Sequence, residues 1–111
     1  MTADQFRALA LSLPEAVEQA HMCHPDFRVG GKIFATLWLD LAHGMVKLSP
    51  ADQAEFCRAL PNVFQPVKGA WGKSGCTQVA LKSAKKSILW PAMVAAWKNV
   101  APAKLADEFK E

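Results

Sequence analysis

The segment HPDFRVGGKIF, residues 24–34, constrains the fold more than any other part of the chain. Two adjacent glycines separate stretches that read as β-strands, which is the pattern of a tight hairpin. FRV reads as a short strand and KIFATLWLD as a longer one. In the longer one, Ile33, Ala35, Leu37 and Leu39 alternate with Phe34, Thr36, Trp38 and Asp40. The first set is uniformly apolar and is expected to face a core. That alternation also selects a register. A two-residue Gly30-Gly31 turn would set Arg28 against Ile33, on the apolar face. A three-residue loop, Val29-Gly30-Gly31, shifts the parity by one and puts Gly31 in the left-handed position of a bulged turn. Phe27 then joins Ile33 inside, and Arg28 lies across from Lys32 outside, so this second register is the expectation.

Around the hairpin the chain alternates between helix and strand signals. Thr2 and Gln5 have the spacing of a capping box, and Phe6, Leu9, Ala10 and Leu13 form one helical stripe before Pro14. Residues 15–24 are ambiguous, with VEQAHM a candidate short strand. HGMVKLS reads as a further strand after a turn near His43-Gly44. Ser49-Pro50-Ala51-Asp52 is a helix start: a capping serine, a proline at the first helical position and an acid in the first turn. Phe56, Ala59 and Leu60 are expected to face inward. VFQPV reads as an edge strand, because Pro66 has no N–H to donate. GAWGKSG reads as a loop and CTQVALK as a strand. A last helix starts near residues 83–87 and runs to about Asn99, with Leu89, Met93, Trp97 and Val100 as its stripe; it either begins or kinks at Pro91. The expected fold is α+β, an antiparallel sheet with flanking helices in the order α-β-β-β-α-β-β-α. It forms one domain over residues 1–111.

The net charge is only +3, but its distribution is uneven. Residues 1–55 carry four Lys or Arg against seven acids, whereas residues 56–106 carry eight Lys or Arg and no acid. An anionic partner such as nucleic acid suits that second stretch. Cys23, Cys57 and Cys76 cannot all pair within one chain, so a disulfide framework is not expected and a cytoplasmic setting is. The N-terminus lacks the basic and apolar regions of a signal peptide, and no apolar run has membrane-spanning length.

Several motifs invite chemistry and fall short of it. GAWGKSG contains the Gly-Lys-Ser that ends a phosphate-binding loop, but Val67 stands where that motif needs its first glycine, and a strand follows instead of a helix. Its Trp71 is either a core anchor or a stacking platform, and core is the expectation. His21 and His24 flank Met22-Cys23, yet the other metal-binding residue types are single and scattered, so neither a metal nor a cofactor is expected. No nucleophile motif and no paired carboxylates support an enzyme. Arg28 and Lys32 at the hairpin tip, with Lys73, Lys85 and Lys86 near other turns, are the better candidates. They suit a phosphate backbone, with Trp71 as an aromatic contact.

These residues also carry a family resemblance. The chain resembles the MmcQ/YjbR family of small bacterial proteins. The likeness lies in Leu11–Glu15, the His24–Ala35 segment, Val46–Ser49, Gly69–Gly72 and Ala101–Leu105, nearly the whole chain. It implies an α+β fold related to the secretion-chaperone-like group and to double-wing DNA-binding modules. It supplies no catalytic residues, and Lys85-Lys86 makes this member more basic than the resemblance leads one to expect. The functional expectation is a non-enzymatic domain that binds DNA weakly through Arg28, Lys32, Lys73, Lys85, Lys86 and Trp71. The alternative is a protein- or peptide-binding, chaperone-like module using the sheet face or a groove beside the last helix.

Overall fold

A computed structural model describes residues 1–110. Its chain order is α1 (Ala3–Leu11), β1 (Val17–His21), β2 (His24–Val29), β3 (Lys32–Trp38), β4 (His43–Lys47), α2 (Pro50–Ala59), β5 (Phe64–Pro66), α3 (Ala70–Lys73), β6 (Cys76–Ala80), α4 (Lys86–Val100) and α5 (Ala103–Glu108). The strands form one antiparallel sheet in the order β1-β2-β3-β4-β6-β5. The α+β architecture is as the sequence implies. Three elements were not in the expected order: β1, which fills the ambiguous segment, the one-turn α3 inside the GAWGKSG loop, and α5.

Local chemistry explains where the helices begin. Thr2 and Gln5 exchange both capping-box bonds, Gln5 N to Thr2 Oγ1 at 3.1 Å and Thr2 N to Gln5 Oε1 at 2.8 Å. Ser49 accepts from Asp52 N at 3.1 Å, with Pro50 at the first turn of α2. α4 does not begin at Pro91: it starts five residues earlier and continues through the proline to Val100. Helix α1 and helix α4 pack on one face of the sheet. Their stripes bury Phe6, Leu9, Leu89, Met93 and Trp97 against Phe27, Leu37, Val46 and Val79. Fully burying Trp97 contributes on the order of 3 kcal/mol, and its indole N–H donates to the Pro14 carbonyl at 3.1 Å. Gly44 lies under the Phe6 ring, where a Cβ would approach to 2.5 Å. That glycine is therefore a strand residue that admits α1, and the chain reverses before it, through a 3₁₀ turn at Leu39–Leu41.

The hairpin register differs from the expectation. Val29 pairs with Lys32 and Arg28 with Ile33, across a two-residue Gly30-Gly31 turn with both φ angles positive. Phe27 then pairs with Ala35, so Phe34 is an extra residue, a β-bulge on β3. Because of that bulge Phe34 and Ala35 are both buried in the core, while Ile33 shares the other face with Arg28. The cost that argued against a two-residue turn disappears once Ile33 is no longer a core residue. Arg28 and Lys32 do not face each other. Two further expectations fail for related reasons. Leu39 is 55% exposed, since β3 has ended by then, and Ala59 is exposed while Gln53 of the same helix is buried.

Candidate functional site

Strand parity places Asp26, Arg28, Ile33, Thr36, Met45 and Cys76 on the face of the sheet away from α1 and α4. This face holds a groove of about 850 Å³. Arg28, Lys32 and Lys47 line it, as do His21, His24, Trp38 and Trp71, over a floor of Ile33, Thr36 and Met45. No carboxylate is among the lining residues. Two side chains at its margin are unusually open: Trp71 is 70% and Met22 is 87% exposed. Trp71 is thus not the core anchor expected of it. The reason is local: α3 docks through Gly72, whose buried Cα sits so close to the Val67 carbonyl that no side chain fits. The neighbouring Trp71 therefore points outward. Gln53 of α2 fastens the same turn, its amide donating to the carbonyls of Gly72 at 2.9 Å and Cys76 at 3.0 Å.

Beneath the cations lies one buried acid. Asp26 has no exposed surface, and its carboxylate accepts from Arg28 Nε at 2.8 Å and Nη2 at 3.1 Å. His21 Nδ1 lies 2.7 Å from its Oδ2. The Arg28 hydrogen bond holds the Asp26 carboxyl below the usual aspartate range; burial opposes the shift, and His21 reinforces it. The same pairing pushes Arg28 up. Asp26 is therefore an anion at neutral pH, and Arg28 is a fixed cation with Nη1 left over for a second partner. His24 is held against Trp38, ring centroids 5.8 Å apart.

The six residues singled out from sequence do not converge. Arg28, Lys32 and Trp71 meet at the groove. Lys85 and Lys86 open α4 and line a separate cleft against α1, on the helical side of the sheet. Lys73 ends α3 and lines neither. Lys47, His21 and Asp26 were missed. Asp26 and Arg28 share a face by simple alternation, so that pair was legible. His21 and His24 come together only because Met22-Cys23 makes a two-residue turn, and neither residue is a turn former.

Among the described residues, no helix is long and apolar enough to cross a membrane, and no group of three or more His, Cys, Asp or Glu could hold a metal ion. A family model described as YjbR matches residues 11–99. Among solved structures, a Deinococcus radiodurans protein, DR2400, carries a domain described as DUF419. It superposes with a TM-score of 0.75 at 19% identity, over 89% of this chain and 78% of that one. At that identity the likeness is one of fold. No curated protein matches the chain significantly.

Proposed function

Because the chain belongs to the YjbR family, whose fold it shares with DR2400, we propose a function placed on the open face of the sheet: binding of single-stranded nucleic acid. One observation carries this reading. The groove gathers Arg28, Lys32 and Lys47 beside Trp38 and Trp71, with no carboxylate in its lining. A strand of nucleic acid offers phosphates to such cations and bases to such rings, largely without regard to sequence. This narrows the wider expectation of DNA binding. It keeps Arg28, Lys32 and Trp71 as contacts, adds Lys47, and leaves Lys73, Lys85 and Lys86 outside the groove. All three cysteines are free thiols, which suits a cytoplasmic setting.

The exposed apolar side chains of Met22 and Trp71 favour one rival occupant, an extended peptide. Salt separates the two. Fluorescence anisotropy of a labelled single-stranded oligonucleotide should report binding at 50 mM salt that weakens steeply by 200 mM. No binding at 50 mM salt would overturn the nucleic-acid reading.

A further inference from the structure

We propose that the groove also carries a catalytic pair, His21 and His24, that cleaves single-stranded RNA by transesterification; this deepens the nucleic-acid reading and rests on it. Three features of the groove support it. The first is the turn. Met22 and Cys23 both have positive φ, 50° and 67°, a region where glycine and asparagine are usual. Strain of this kind concentrates where function needs a particular geometry. Here it sets His21 and His24 directly opposite each other in register, ring centroids 6.5 Å apart. At that separation the rings are edge-to-face neighbours, close enough for one phosphodiester lying across both to reach each imidazole.

The second feature is the hydrogen bond to Asp26. An ionised carboxylate 2.7 Å from Nδ1 fixes the proton of neutral His21 on that nitrogen. Nε2 then carries a lone pair able to take up a proton. Asp26 is fully buried and remains an anion because Arg28 neutralises it. His24, packed on Trp38, is the second imidazole and enters as the acid. The third feature is charge. Arg28, Lys32 and Lys47 line the same groove and face the extra negative charge that develops on the phosphoryl oxygens.

The step balances without any co-reactant. His21 Nε2 takes the proton of a ribose 2′-hydroxyl, and the 2′-oxygen forms a bond to the adjacent phosphorus. The P–O5′ bond breaks, and protonated His24 delivers its proton to the departing 5′-oxygen. The products are a 2′,3′-cyclic phosphate end and a 5′-hydroxyl end. Exchange with water restores both histidines. DNA lacks the 2′-hydroxyl and is bound without being cut.

The test pairs an end-labelled oligoribonucleotide with its deoxy counterpart, both incubated in a chelator. The RNA should shorten to fragments ending in a cyclic phosphate, while the DNA stays whole. His21→Ala and His24→Ala should each slow cleavage by roughly 100-fold at saturating RNA, where any change in affinity is compensated. His24→Gln, which preserves size, should behave like His24→Ala. RNA that is bound but left whole would overturn the catalytic pair and leave the binding reading standing. Failure to bind either strand would overturn both. Cleavage at an unchanged rate in the folded histidine variants would assign the activity to a contaminant and reject the proposal.

Discussion

Arg28 grips Asp26 at two points, Nε to Oδ1 at 2.8 Å and Nη2 to Oδ2 at 3.1 Å, from two residues along the same strand. The period of a β-strand puts both on one face, and the guanidinium plane matches the carboxylate. The pair fixes the charge pattern of the groove, because it turns a buried acid into part of the scaffold that holds a surface cation.

Asp26→Asn should expose what that pair contributes. An amide has one acceptor oxygen and no charge, and turns an N–H donor towards Arg28 in place of the second oxygen, so a loss of about 2 kcal/mol is expected at pH 7 by urea denaturation. The pH dependence has a defined sign. Asp26 has its carboxyl pKa depressed in the folded protein, so its contribution is present above the unfolded aspartate value and fades as pH falls through the lower, folded one. Unfolding midpoints of the two proteins should therefore converge below about pH 4. Midpoints that remain equally far apart in acid would contradict this.

Gln53→Ala leaves the Gly72 and Cys76 carbonyls without their donor in a buried site. The expected loss is about 2 kcal/mol. Hydrogen exchange should localise it, with faster exchange at the Lys73, Ser74 and Gly75 amides and little change in α4. A uniform acceleration would mean that Gln53 supports the whole fold and not the α3 turn.

Removing positive charge from one face at a time is a direct check on the open-sheet reading. Lys32→Ala and Lys47→Ala should each weaken oligonucleotide binding and lower the slope of log affinity against log salt by about 0.7. Lys85→Ala and Lys86→Ala, on the helical side, should leave both unchanged. Equal effects from the two pairs would place the strand elsewhere.

Thiol labelling should resolve three cysteines by rate. Cys23, exposed in the β1–β2 turn, should react first. Burial pushes the Cys57 and Cys76 thiols up, and Cys76 is also covered, so it should react last in the native protein. Bound oligonucleotide should slow Cys76, which lines the groove, and Cys23, which sits between the two histidines, and leave Cys57 unchanged.

Sequence pattern reached the helices more readily than the sheet. Thr2, Gln5, Ser49 and Pro50 act through bonds to near neighbours, so their spacing alone places α1 and α2. Trp97 and Leu89 were legible from their stripe. The hairpin register was not, because simple alternation assumes one residue against one, and Phe34 breaks that count. Trp71 was misjudged because its exposure depends on the contact between Gly72 and the Val67 carbonyl. The groove itself is assembled from β1, β2, β3, β4 and α3, and no short stretch of chain contains it. Even so, Asp26 and Arg28 were an alternation apart and open to the same reasoning that placed Leu37 in the core.

The bulge at Phe34 has a consequence for how such chains diverge. Removing that one residue would restore plain alternation, with Ile33 still outward and Ala35 still inward. A relative one residue shorter at this point would lose an aromatic ring from the interior and keep every groove side chain in place. Length variation is thus absorbed at a single joint, and the hairpin tip is free to change its inner packing while its outward face is inherited intact.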